Sequence, residues 1–122
     1  MSFRPQPPGP AATSARLLLA SVFIVMGGWR LWNAYHGVPA SGATLASSAV
    51  GLVLGLLVAA DWKLRWTALL SALLLAIDAL MSHPFWALAE PARSAQLLHF
   101  MKNASMAGGF LLLSATTHAR RR

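Results

Sequence analysis

The chain has 122 residues, 57% of them hydrophobic and only 11% charged, with ten lysines and arginines against three acids and a net charge of +7. A soluble domain carries about 25% charged residues, so this composition cannot coat a water-facing surface; it predicts one all-α membrane domain and excludes an ordinary soluble one. With no cysteine, a disulfide framework, a thiol redox centre and a cysteine-ligated metal are excluded, so any redox chemistry has to come from a bound cofactor or a partner.

Residues 1–13 contain Pro5, Pro7, Pro8 and Pro10 and little that packs, which reads as a flexible cytoplasmic tail. The first span is expected over residues 14–35, with Ser14 as N-cap. Its apolar run continues into Trp29, Arg30, Trp32 and Tyr35, as a retained anchor does and a cleaved signal peptide does not. At about 1.5 Å per residue it is long enough to cross a bilayer. Gly37, Pro39 and Gly42 mark a short loop. A second span over residues 43–61 carries Ser47, Gly51, Gly55 and Ala59 at every fourth position, a small-residue stripe of the kind that lets helices approach closely in lipid. Alanine- and glycine-rich membrane helices also show such stripes by chance.

A charged turn around Lys63 and Arg65, flanked by Trp62 and Trp66, leads at once into a third span over residues 64–82, so the second and third helices are expected to be antiparallel neighbours. His83-Pro84 ends it, because proline lacks a donor and disfavours helix in the residue before it. A loop containing Glu90-Pro91 precedes a fourth span over residues 94–116, and residues 117–122 form a basic tail. Arg4, Arg16, Lys63, Arg65, Arg120, Arg121 and Arg122, seven of the ten basic residues, fall on one side of this four-helix antiparallel bundle. The positive-inside rule then makes both termini cytoplasmic. Basic residues scattered singly at span ends, rather than along one amphipathic face, argue against nucleic acid as a partner.

Arg30, Asp78, His99, Lys102 and Asn103 fall at similar depth, about 6–13 Å below the outer helix ends on three helices. A lysine in hydrocarbon needs a partner or a route to water, and Asp78 is the one acid at that level. The expected cluster is electropositive and suited to an anion or a carbonyl oxygen. Two readings stand for Arg30 and Lys102: a ligand-binding charge cluster, or long basic side chains snorkelling to the surface. The short Asp78 side chain points to pairing, either architectural or at a ligand site. His83 and His99 near the outer interface read as solvated or hydrogen-bonded rather than as metal ligands. No catalytic constellation, phosphate loop or metal spacing is present.

Two stretches resemble the DoxX family of small bacterial membrane proteins. One begins Ala15-Arg16 and runs through Phe23 to Gly28; the other holds Lys102-Asn103 followed by Gly108-Gly109. Gly51 and Gly55 fit that family's glycine-rich second helix. The resemblance covers nearly the whole chain after the tail and implies a four-helix inner-membrane bundle. It carries over Arg16, Lys102, Asn103, Gly108 and Gly109, the last two as packing positions. Where the family commonly has lysine after the first-helix glycine, this chain has Trp29-Arg30. Members are associated with redox complexes, including a subunit of a thiosulfate:quinone oxidoreductase. The expectation is therefore an accessory or anchoring subunit of a membrane redox system, binding a quinone or lipid headgroup and associating with a redox partner or a second copy. It would not be an enzyme on its own. The alternative is a small transporter or channel-like component, for which an intramembrane charge cluster is also a marker.

Overall fold

A computed structural model describes residues 7–120, with the side chains of residues 118–120 left undescribed. The first six residues of the proline-rich tail, Arg4 and Pro5 among them, and Arg121 and Arg122 of the basic tail lie outside the described residues. Four helices run in sequence: α1 (Pro10–Tyr35), α2 (Gly42–Ala59), α3 (Leu64–Ser82) and α4 (Ala92–Arg120), with a single 3-10 turn, Phe85–Ala87, between the last two.

The first helix starts before the expected position. Gly9 is its N-cap and Pro10 its first residue, because a proline there loses no helical hydrogen bond and brings φ already set; Ser14 lies inside the helix and caps nothing. At α2 the cap is a side chain, Ser41 Oγ accepting from the Thr44 amide at 3.1 Å. This helix stops at Ala59 in a turn where the Trp62 amide reaches back to the Leu57 carbonyl at 3.0 Å. The turn holds Asp61 at φ 58° and Lys63 at φ 43°, left-handed conformations that cost a non-glycine residue about 1 kcal/mol or more. So tight a reversal makes α2 and α3 antiparallel neighbours. The fourth helix is longer at both ends than the hydropathy pattern indicates.

Packing follows a polarity opposite to that of a soluble bundle. Along α3 the inward positions are Leu64, Thr67, Ala68, Ser71, Ala72, Leu75 and Ala79, while Leu70, Leu73, Ile77 and Leu80 face outward. Mostly small residues inside, with leucine at two positions, and large aliphatic ones outside suit a solvent that is itself apolar, where close backbone approach contributes much of the association. Among the described residues three helical stretches are long and apolar enough to cross a membrane: Pro10–Tyr35, Gly42–Ala59 and Leu64–Ala87. The fourth helix, which carries Arg93, His99 and Lys102, is not among them.

Glycines set the α1–α2 contact. A Cβ built on Gly55 would stand 2.9 Å from Phe23 Cβ and 3.1 Å from the Ala20 carbonyl oxygen, and one on Gly51 would stand 3.2 Å from the Phe23 ring. Gly27 is tighter still, 2.8 Å from the Ser48 carbonyl oxygen. Gly109 of α4 faces Leu19 at 3.1 Å, whereas Gly108 has open space around it and is no packing position. Ser47 is half-buried, and its hydroxyl returns to the Thr44 carbonyl of its own helix at 3.0 Å.

At the end of the bundle near the α2–α3 turn, Arg16 performs a task that hydropathy does not reveal. Its Nη1 donates to the Val58 carbonyl at 3.0 Å and also to the Ala59 carbonyl. These are among the last carbonyls of α2, at the negative end of the helix dipole; the Val58 carbonyl also accepts from the Asp61 amide at 3.1 Å. Arg16→Ala is expected to cost about 1 kcal/mol, with Arg16→Lys recovering part of it. Thermal unfolding in detergent, followed by tryptophan fluorescence, reads both. Opposite, Ser114 Oγ of α4 donates to the Arg65 carbonyl at 2.7 Å, tying α4 to the start of α3.

Candidate functional site

At the other end of the bundle, below the 36–41 loop and the 3-10 turn, the four helices leave a cavity of about 250 Å³. Helix α1 contributes Phe23, Met26, Gly27 and Arg30; α2 contributes Ser47, Ser48 and Gly51; α3 contributes Leu75 and Asp78; and α4 contributes His99, Lys102, Asn103 and Met106. All five residues expected to form the charge cluster therefore line one space. The glycines explain why it exists. Where Gly27 and Gly51 present no side chain, α1 and α2 close on each other and the void falls between them and the α3–α4 pair.

The pairing inside the cluster differs from the charge-balance expectation. Asp78 does not bind Arg30 or Lys102. Its Oδ2 accepts from Asn103 Nδ2 at 2.7 Å and its Oδ1 from Ser82 Oγ at 2.8 Å. Among the described residues the one basic group within 4.0 Å of it is His83, whose Nε2 stands 3.9 Å from Oδ2. The reason is reach: Arg30 and Lys102 are exposed and have chains long enough to carry their charge to water. Asn103, only 6% exposed, has no such route and must satisfy its amide inside. Its bond to Asp78 links α3 to α4, and interhelical bonds of this kind in membranes are worth about 0.6–1.7 kcal/mol. Asn103→Ala is thus expected to lower stability by about 1 kcal/mol, measured by unfolding in mixed micelles, and Asn103→Gln to restore less than half of the loss because the longer side chain misplaces the amide.

His83 belongs to the cavity wall although it follows the end of α3. Its Nδ1 lies 2.7 Å from Gln96 Oε1, and its ring stacks on that of His99 with centroids 5.2 Å apart and planes 24° from parallel. Proline at position 84 stops the helix and folds the preceding histidine back toward Asp78; that break was the sequence signal for it. Ser48 was signalled by nothing beyond its place one residue after the stripe. It is buried, and its hydroxyl has no hydrogen-bond partner.

The lining mixes unlike groups. Arg30 and Lys102 carry only donors and positive charge. Asp78 offers acceptors and is held by Ser82 and Asn103, while His83 is held by Gln96. Phe23, Leu75 and Met106 supply apolar wall. Such a space can hold a small, flat or compact polar head while an attached apolar tail lies along the outside of the bundle. Comparison of the chain with models of known families, with curated proteins and with solved structures finds no match.

Proposed function

We propose that this is a four-span protein of the bacterial inner membrane, both termini cytoplasmic, that holds the headgroup of a membrane-soluble ligand, a quinone or a lipid, near its periplasmic end. In this reading it is a DoxX-like accessory or anchoring subunit of a membrane redox system. The observation that carries the reading is the four-helix cavity, lined by Arg30 and Lys102 and by a half-buried Asp78 bonded to the buried Asn103, inside a bundle whose outer surface is apolar. Sites for whole drug-sized ligands run to about 300–1,000 Å³, and the smaller space here suits a head alone. In this reading α4 serves as the fourth span: its buried amide, Asn103, is satisfied by Asp78 inside the bundle, and Lys102 is exposed with a chain long enough to carry its charge to water.

The exposed tryptophans fit the same orientation. Trp62 and Trp66 stand at the α2–α3 turn under Lys63 and Arg65, with cation-to-ring distances of 4.9 and 5.1 Å. Trp29, Trp32 and Trp86 stand toward the opposite end, as two interfacial belts require. The chain has no cysteine, so single introduced thiols report topology cleanly. Val38→Cys is expected to react with a membrane-impermeant maleimide in intact spheroplasts, and Ala60→Cys only after lysis; the reverse pattern would invert the orientation. The function itself is tested by extracting tagged protein in a mild detergent and identifying by mass spectrometry what stays bound. A co-extracted quinone or lipid, together with a redox protein, is the expected result. A bare chain with neither would defeat the proposal.

A further inference from the structure

We infer that the cavity is a site for one anionic phospholipid with a phosphoglycerol-type head, taken in preference to the zwitterionic ethanolamine head, and that the buried Ser48 hydroxyl is its interior contact. Resting on the headgroup reading, this commits the lipid arm of that reading to one charge class.

Ser48 lines the cavity, is only 3% exposed, and has a hydroxyl without a hydrogen-bond partner. Its neighbour Ser47, by contrast, donates to the Thr44 carbonyl of its own helix at 3.0 Å. A buried hydroxyl left unpaired is costly, and a ligand oxygen that reaches it removes the cost. Two further donors reach the same space from other helices. Helix α1 meets α2 where Gly27 stands against the Ser48 carbonyl. Arg30 lies three residues on, along the same side of α1 and about 4.5 Å nearer the outer end. Lys102 enters from α4, beside Asn103. Both cations are exposed while lining the cavity, which puts them at its mouth. Among the described residues neither has a carboxylate within 4.0 Å.

Charge decides the class of head. Asp78 is the one acid in the lining, and its two oxygens already accept from Ser82 and Asn103. Set against Arg30 and Lys102, it leaves one positive charge uncompensated before His83 or His99 is counted. A phosphodiester brings one negative charge and several acceptor oxygens, which meet that charge and all three donors. The hydroxyls of a glycerol head add donors for the acceptor positions Asp78 has left. An ethanolamine head carries its own ammonium, so the positive charge stays. A free phosphate supplies the oxygens but makes no use of the apolar wall. Met26 lines the cavity and is also exposed on the outside of α1, so the opening lets an acyl chain continue along the bundle.

The test titrates the full chain in detergent micelles with dioleoyl phosphatidylglycerol, dioleoyl phosphatidylethanolamine and inorganic phosphate, read by native mass spectrometry. The expected result is one phosphatidylglycerol bound about tenfold more tightly than phosphatidylethanolamine, the equivalent of one charge-assisted hydrogen bond, with no phosphate bound in that range. Ser48→Ala is expected to weaken phosphatidylglycerol by about fivefold. Its unfolding temperature in lipid-free detergent should stay at or above the parent's, because the substitution removes an unpaired buried hydroxyl. Lipid that only borders the surface cations would respond to Arg30→Gln and Lys102→Gln but not to Ser48→Ala. Equal binding of the two lipids, or a phosphatidylglycerol affinity unchanged in Ser48→Ala, overturns the inference while leaving the headgroup reading in place. Inorganic phosphate bound as tightly as the lipid overturns it in favour of a soluble anion. Binding of neither lipid overturns it and removes lipid from the headgroup reading.

Discussion

Gly27→Ala is expected to lower stability by about 2–3 kcal/mol, the upper part of the range for overpacking an interior, although it adds one methyl group. The new Cβ would meet the Ser48 carbonyl oxygen at 2.8 Å and the Leu52 backbone nitrogen at 3.2 Å. Both belong to the main chain of α2, which cannot rotate away as a side chain could, so the helices have to part along the contact. In lipid that separation is not resisted by water, and the close van der Waals approach it destroys is most of what holds α1 to α2. Gly55→Ala strains a similar contact, against the Ala20 carbonyl at 3.1 Å and Phe23 Cβ at 2.9 Å. Gly108→Ala is the control: nothing lies within 4 Å, alanine is the better helix former, and no loss is expected. Detergent-resistant thermal unfolding should rank Gly27→Ala lowest and Gly108→Ala at or above the parent. Because Gly27 also lines the cavity, the same variant should weaken headgroup binding together with stability.

The four helices were legible in the sequence because a bilayer-length apolar run between turn signals leaves few alternatives. Pro10 and the His83-Pro84 break show where such rules are sharp and where they slip: the second ended α3 where expected, whereas the first opened α1 four residues before Ser14. The stripe on α2 was legible at Gly51 and Gly55 but not as a contact map. Its period says which residues share a face, not which face meets a neighbour, so Ser47 fell to the cavity and Gly108, on another helix, to open space. Gly27 went unseen because the atom it admits is a carbonyl of α2, and backbone has no sequence signature. Arg16 could have been found from physics alone. In an antiparallel hairpin a basic residue near the start of one helix lies beside the carbonyl end of the next.

For the site, the residues were legible and the bonds were not. Charge counting pairs an acid with the nearest cations, yet reach decides which partner is necessary. Arg30 and Lys102 can satisfy themselves at the surface, so they exert no claim on Asp78. Asn103 cannot leave the interior, and Ser82 sits one turn along α3 from Asp78. Shortness of side chain, not charge, was the better guide to what is paired inside an apolar bundle.

Phe110→Ala should be about as damaging as Gly27→Ala, at about 2–3 kcal/mol. Phe110 is fully buried, and its ring stacks on Phe23 with centroids 5.4 Å apart and planes 28° from parallel. In a water-soluble core the truncation costs about 3–5 kcal/mol, part of it transfer of the ring from water and part the cavity left behind. In a membrane the separated helix still keeps its phenylalanine in hydrocarbon, so the transfer part largely falls away. What remains is the lost dispersion and the void, together with the stacking worth about 0.5–1.5 kcal/mol. The Phe23 ring also occupies the space left by Gly51, so removing Phe110 loosens α1 from α4 and α1 from α2 at one point. Phe110→Leu should recover more than half of the loss by refilling most of the volume. A double-mutant cycle with Phe23→Ala should give a coupling near the stacking energy. Additive losses would show that the two rings act independently.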